Sequence, residues 1–323
     1  DLMNSIVVFG EVQNGLLNQA SAEAVTAALS VRESGTEIVG ALIGSSIPVG
    51  VFSTAGIDRL LIADDAQVTE YTCEAFVSAA AEIAKKAGAK LIIIPHTSNA
   101  LEWAPRLAAR LNAALVTNCT SLERENGALL ATQPVAGGAV QAQYAISSEL
   151  KVVTLSAGAF VPAEKGAAAP VEQVSLGIIN NPVEVLETIS EVAGDGPSLR
   201  NAKVVVSGGI GIGNAENWKI IEDSAKSLNA AVGATRAAVE MGWVPTTKQV
   251  GFSGLKVAAD LYVAAGISGA IHHLAGIGRV KNVVAINSDG EANIFSVANY
   301  GVVGDAKAVL PAFVARVQEL RSK

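Results

Sequence analysis

The chain has 323 residues, half of them hydrophobic but only 4% aromatic, and a net charge of −7. Its length favours two domains over one, and a core drawn from Ala, Val, Ile and Leu suits helices packed on buried parallel strands. The acidic balance excludes nonspecific nucleic-acid binding, which needs clustered Lys and Arg, and two distant cysteines, Cys73 and Cys119, make neither a zinc site nor a disulfide framework by themselves.

No apolar run reaches the ~20 residues of a membrane span; the longest, such as LIIIP at 91–95, have strand length. DLMNSIVVFGEV shows neither signal-peptide nor Arg-rich transit character. A reducing, cytoplasmic setting is expected, or the mitochondrial matrix if a transit peptide has been removed. SIVVFG at 5–10 reads as a first buried strand. Residues 20–33 have helical spacing, with Ser21 as N-cap and Glu23 and Glu33 on polar positions. Strands follow at 37–43 and 58–63, then an amphipathic helix over 72–86 stopped by Gly88. A strand at 90–95 precedes a helix over 99–111, with Pro105 near its start. This alternation predicts a doubly wound sheet.

From Leu115 the rhythm changes to short strands with turns at 125–127, 137–138 and 147–149. They read as an antiparallel edge or appendage on the first domain. AEKGAAA at 163–169 is expected to be a mobile loop, and VAGDGPSLR at 192–200 a linker. The boundary falls near residue 198, giving an N-terminal α/β domain over 1–197 and a C-terminal domain over 198–323. A buried strand at 203–207 opens the second domain.

The chemistry-bearing text lies in that second domain. Gly209, Gly211 and Gly213 sit between a strand and a helix over 216–228. They match neither a Walker A loop nor a full G-x-G-x-x-G fingerprint, and a plain tight turn accounts for them better. Thr235 and Arg236 follow the strand-like AAVG, where open α/β sheets bind ligands. A surface salt bridge to Glu240, at i, i+4 spacing, explains the arginine equally well. QVGFSG at 249–254 is a strand end and a turn whose N–H groups and Ser253 hydroxyl can meet a ring nitrogen or phosphate oxygen, or is simply a turn. After a strand at 261–265, Ser268 reads as the N-cap of a short helix over 269–275, closed by Gly276. That N-terminus favours a diphosphate. His272 and His273 diverge too far around a helix to share a metal, so no metal site is expected. One of them can donate to a flavin carbonyl; an ordinary imidazole accounts for His272 more readily than for His273. Asn287 ends the strand VVAIN. Asp305 either holds a ribose hydroxyl or adenine amine or caps the last helix, 306–320. Together these features fit a bound nucleotide, a flavin best of all. No nucleophile or general-acid constellation accompanies them, so no catalytic residue is assigned.

As an ordered set, GATRAAV, QVGFSG, LYVAAGISGAIHHLAG, VVAIN and VANYGVVGD resemble the flavin domain of the electron-transfer flavoprotein alpha-subunit family. PRLAARLNAALVTNCTSLE and LLATQPVAGG resemble that family's N-terminal domain, so the likeness covers essentially the whole chain. The resemblance implies a C-terminal Rossmann-like parallel sheet binding a noncovalent FAD. Carried over by position, Arg236 would lie against the isoalloxazine, positioned by Thr235. Gln249, Val250, Gly251 and Gly254 would frame the ring and ribityl chain, and Ser253 would bond near the flavin N5. His273 would face the pyrimidine carbonyl. Ser268, Gly269, Ala270 and Ile271 would meet the ribityl and diphosphate, and Asn287 and Asp305 the AMP end. Three positions depart from the family's text: Ile210 stands for an arginine, His272 for a glutamine and Ser288 for a lysine.

The family further implies a heterodimer with a beta subunit. The pair takes electrons from flavin dehydrogenases, such as acyl-CoA dehydrogenases, and passes them to a quinone-, ferredoxin- or NAD-linked acceptor, with no membrane insertion and no nucleic acid. An alternative is the flavin subunit of an electron-bifurcating complex. A nicotinamide-nucleotide oxidoreductase is the rival class, but residues 6–33 lack its glycine fingerprint.

Overall fold

The computed structural model describes residues 5–13, 15–48, 50–138, 140–188, 196–199 and 202–322. The chain forms two compact units, residues 1–189 and 190–323. Most of the expected linker, 192–195 and 200, lies outside the described residues.

The first unit runs β1 (Ser5–Phe9), β2 (Val12–Gln13), β3 (Leu16–Leu17), α1 (Gln19–Ser30), β4 (Glu37–Gly44), β5 (Arg59–Asp64), α2 (Cys73–Ala87), β6 (Ala89–Pro95) and α3 (Ser98–Arg110). It continues with β7 (Ala114–Cys119), β8 (Ser121–Glu125), β9 (Ala128–Val135), β10 (Val140–Ile146), β11 (Lys151–Leu155) and β12 (Val171–Gln173). A seven-stranded parallel sheet has the order β12-β5-β4-β1-β6-β11-β7. Every residue of β1 is buried. Val7 and Phe9 point into the core under α2 and α3, while Ile6 and Val8 point into the core under α1. That alternation, apolar on both sides, is what a strand covered on both faces requires.

Several sequence expectations are corrected here. The segment after Leu115 is not all appendage: β7 and β11 join the parallel sheet, and only β8–β10 form a separate antiparallel sheet. The run KVVTL of β11 is buried on both faces, as an interior parallel strand must be. Asn18, not Ser21, caps α1 by accepting from the Ala20 N–H at 3.1 Å. Ser21 lies inside the helix, buried, and accepts from the Glu11 N–H. Glu23 is also buried, because its carboxylate accepts from the Gly158 N–H at 2.6 Å and from the Gln19 amide. Pro105 lies in the middle of α3, not near its start. The 163–169 loop is anchored: Ala55 N–H donates to the Glu164 carbonyl, Gly166 N–H donates to the Ser53 carbonyl, and Thr54 bridges Lys165.

The second unit is β13 (Val204–Gly208), α4 (Lys219–Leu228), β14 (Ala231–Ala234), α5 (Arg236–Glu240), β15 (Leu261–Ala265), α6 (Ile271–Ile277), β16 (Asn282–Asn287), β17 (Tyr300–Val303) and α7 (Ala306–Arg321). Its five strands are parallel, in the order β14-β13-β15-β16-β17. The chain moves from β13 to β14 on one side, then returns to place β15 on the other. The crevice beyond the carboxyl ends of β13 and β15 is therefore the topological switch point, where open α/β sheets hold ligands. The expected strands at 203–207, 261–265 and 283–287 are observed, whereas residues 249–250 make isolated bridges, α4 starts at Lys219 rather than 216, and α6 spans Ile271–Ile277 rather than 269–275.

Glu23 makes the first testable case. Glu23→Ala strips an acceptor from the buried Gly158 N–H and should cost roughly 1–3 kcal/mol. Glu33→Ala loses only a surface pair with Arg124 and should cost less than about 0.5 kcal/mol. Denaturant midpoints of the two variants measure the difference.

Candidate flavin site

A cavity of about 260 Å³ opens at the carboxyl ends of β13, β14 and β15. Its floor is made where two loops cross. Gly209 N–H donates to the Ala265 carbonyl and Gly211 N–H to the Gly266 carbonyl, both at 3.0 Å. A Cβ on Gly209 would fall 2.3 Å from the Gly266 oxygen, so only glycine lets the loops meet. Gly269, at φ +82, turns the chain over the far wall, and a Cβ there would lie 2.2 Å from the Ile294 nitrogen.

Thr235 caps α5 by accepting from the Ala238 N–H at 3.4 Å. This cap starts a new helix immediately after β14 and brings Arg236 to the rim. The Arg236 Nε pairs with Glu240 at 2.7 Å, and both side chains are well exposed. The surface pair and the rim position thus hold together. On the opposite wall the 251–254 turn is tied to α6 by the Phe252 N–H bonding the His272 carbonyl. Gln249 is buried and its amide donates to the Ser253 Oγ at 3.0 Å, which leaves the hydroxyl hydrogen to serve as a donor.

Ten of the fourteen sequence-assigned residues line this cavity: Thr235, Arg236, Gln249, Val250, Gly251, Ser253, Ser268, Gly269, Ala270 and His273. The other four do not. Gly254 lies behind the turn, where a Cβ would meet the Gln249 carbonyl at 2.4 Å. Ile271 opens α6 with its side chain 80% exposed. Asn287 ties strand ends together, donating to the Ile267 carbonyl and accepting from the Asp289 N–H. Asp305 caps α7 through the Lys307 N–H.

Ser268 is not the cap of α6. The positive φ of Gly269 separates it from the helix, which begins at Ile271 with Ala270 in the cap position and no side-chain cap bond. Gly276 does not close that helix but lies within it, packed against Gly251.

Phe252, His272, Ile210 and Glu240 also line the cavity but were not assigned from sequence. Glu240 was readable as the i+4 partner of Arg236; Phe252 carried no signal beyond its place in the turn.

The chain matches the electron transfer flavoprotein domain over residues 6–178 and the electron transfer flavoprotein FAD-binding domain over residues 198–278. It belongs to the electron transfer flavoprotein alpha-subunit family. Its relatives include Protein FixB of Clostridium saccharobutylicum, 37% identical with 98% of this chain and 96% of the relative covered. The electron transfer flavoprotein alpha subunit of Bacillus subtilis is 30% identical, with 98% of each chain covered. That of Mycobacterium tuberculosis is 38% identical over 96% of each. The cofactor of such a flavoprotein is FAD, and its family implies a beta-subunit partner. No helix among the described residues is long and apolar enough to cross a membrane.

The donor set suits FAD. Among the described residues, the N–H groups of Ser268, Gly269 and Ala270 donate no backbone bond, and Thr235, Ser253 and Ser268 line the same cavity as Arg236. N–H donors and one guanidinium fit a diphosphate and an electron-rich ring.

His273 is 6% exposed, and its Nε2 lies 3.1 Å from the Tyr262 hydroxyl. Its Nδ1 is buried with no hydrogen-bond partner meeting normal geometry. Burial pushes the imidazole down to about 4, opposed by the Val250 backbone, which favours the protonated ring. The unfolded chain therefore binds a proton between about pH 6.5 and 4 that the folded chain refuses. The contribution is complete above pH 6.5 and falls as pH drops toward 4, by up to about 3 kcal/mol. His273→Gln should flatten this part of the stability profile, measured by denaturant unfolding from pH 7 to 4.

Proposed function

We propose that this cavity is the FAD site, built as the sequence assigns it, and that the flavin domain begins near residue 198. Thr235, Arg236, Gln249, Val250, Gly251, Ser253 and His273 take the isoalloxazine side. Ser268, Gly269, Ala270 and Ile271 take the ribityl and diphosphate, while Gly254 supports the 251–254 turn. Asn287 and Asp305 lie farther along the same carboxyl edge of the sheet and take the AMP end. The observation that carries the reading is the run of unbonded N–H groups at 268–270 in residues that line the switch-point cavity together with Thr235 and Ser253. The family match that starts at residue 198 supports the boundary.

Bound FAD supplies the redox chemistry, accepting electrons from one protein and releasing them to another. The chain's own part is to hold and tune. Arg236 sets a positive charge at the rim and favours added negative charge nearby. Ser253, its oxygen engaged by Gln249, offers a hydrogen to a ring acceptor. The 268–270 N–H groups offset phosphate charge without a lysine at position 288.

The alpha subunit works with its beta-type partner. Its donors are flavin dehydrogenases, of the acyl-CoA dehydrogenase kind, and its acceptor is a quinone-, ferredoxin- or NAD-linked oxidoreductase. In a bifurcating version of the complex, the second flavin belongs to the partner chain. The protein's setting is the cytoplasm, or the mitochondrial matrix if a transit peptide has been removed.

Co-expression with the beta-type subunit should yield a yellow complex with one FAD held by this chain. Gly269→Ala, which drives a Cβ into the Ile294 backbone, should lose that FAD while the N-terminal unit stays folded. A colourless wild-type complex that took up no added FAD would sink the reading. The same preparation tests charge tuning. Ile210 lines the cavity, and Ile210→Arg should raise the flavin midpoint potential by tens of millivolts, since about 59 mV corresponds to tenfold for one electron. A dye-equilibrium redox titration reads the shift.

A further inference from the structure

Tyr262 is the bulkiest fully buried side chain among the described residues. It sits in β15, and its hydroxyl reaches His273 Nε2 across 3.1 Å. On the neighbouring strand β13, Val205 stands opposite Tyr262 and Ser207 opposite Ala264, so Ser207 shares the Tyr262 face of the sheet. The surroundings are apolar: Val205, Val250, Ala264 and Ile267. Burial raises the Tyr262 hydroxyl far above its ordinary range, more than Ser207 beside it lowers it. Tyr262 is thus a neutral O–H with a donor hydrogen to place. The charged groups of the cavity, Arg236 and Glu240, pair with each other.

A neutral imidazole has one donor nitrogen and one acceptor nitrogen, and the bond made by one fixes the other. Two arrangements exist. If Nε2 carried the hydrogen and donated to Tyr262, Nδ1 would be a buried lone pair with no donor to meet it, and the Val250 backbone, which favours a proton on the ring, would go unanswered. If Tyr262 donates to Nε2, the hydrogen resides on Nδ1, no buried lone pair is left there, and the N–H is turned to the Val250 backbone.

We infer that Tyr262 is a positioning residue: its O–H donates to His273 Nε2, locks the imidazole in the Nδ1–H tautomer with that hydrogen turned to the Val250 backbone, and so steadies the Val250 wall of the flavin cavity. Only the last step rests on the flavin reading. Outer partners of this kind orient an inner ligand without touching what it binds.

The test uses the full chain, labelled with ¹⁵N-histidine and paired with its unlabelled beta-type partner, with and without FAD. The chain has three histidines, and His273→Gln assigns the signal. At pH 7 the His273 ring should show a protonated Nδ1 and an unprotonated, hydrogen-bonded Nε2. Tyr262→Phe keeps the bulk and removes the donor. It should switch the ring toward the Nε2–H tautomer that free histidine prefers, and raise the FAD dissociation constant by roughly threefold to tenfold. An Nε2–H signal in the wild type, or an unchanged Nδ1–H signal in Tyr262→Phe, would overturn the inference. A switched tautomer with unchanged FAD affinity would overturn its link to the cavity. Should the variant not fold, the wild-type tautomer decides alone. A complex that takes up no FAD would defeat the cofactor reading, while the tautomer would still be judged from the same spectrum.

Discussion

The close crossing of the 209–211 loop over Gly266 is the contact on which the flavin domain depends. Two segments meet at backbone thickness, with carbonyl and N–H in direct contact and no side chain between them. This keeps β13 and β15 adjacent in register right up to their ends and leaves a crevice just beyond. A side chain at either position would push the loops apart and widen that crevice where shape matters most. The glycines after β13, which as sequence read best as a plain tight turn, turn out to be structural in this stricter sense. They make the floor of the cavity and do not cradle a phosphate in the Walker manner.

Charge around the cavity is sparse. Arg236 supplies the one guanidinium of the lining, and Glu240 beside it offsets much of its field. Both side chains are largely in water, so their attraction is screened and easily exchanged for another partner. The surface-pair reading of Arg236 and the ligand reading therefore do not compete: a weak exposed pair parks the guanidinium at the rim at small cost. With Ile210 contributing no charge, stabilisation of an anionic group falls mainly to oriented backbone N–H groups. Such dipoles need no reorganisation and no counter-ion.

Much of this was legible in the sequence, for a physical reason. Strands buried on both faces are short, continuous apolar runs, so β1, β4, β6, β13, β15 and β16 could be read one at a time. Pairing between strands is non-local, and the text after Leu115 shows the limit. KVVTL in β11 and LLATQPV in β9 both look like strands, yet only β11 enters the parallel sheet. Caps failed similarly: Asn18 and Ser21 are both good capping residues, and only a tertiary bond from Glu11 to Ser21 decides between them. Glu23 was misassigned because its partner, the Gly158 N–H, is far away in the chain. In the site, the residues contributed by contiguous loops were readable. Asn287 and Asp305, each with a local hydrogen bond that already explains it, were ambiguous as sequence and keep their local bonds in the fold.

The buried polar line from Ser207 through Tyr262 to His273 is a conflict between stability and use. A core of Val, Ala and Ile would be simpler to pack if these three positions were apolar, and an unsatisfied polar atom there costs roughly 1–3 kcal/mol. Two of the three groups retain such an atom, Ser207 Oγ and His273 Nδ1. Tyr262 accounts for part of the balance by filling its volume and engaging Nε2, which puts the ring hydrogen on Nδ1. An arrangement that satisfies one ring nitrogen inside the core and leaves the other only a backbone group off normal hydrogen-bond geometry is poor design for a hydrophobic core. It is sound design for holding one tautomer: the Tyr262 O–H fixes which ring nitrogen carries the hydrogen, and a fixed ring keeps α6 and the 249–254 turn in one arrangement.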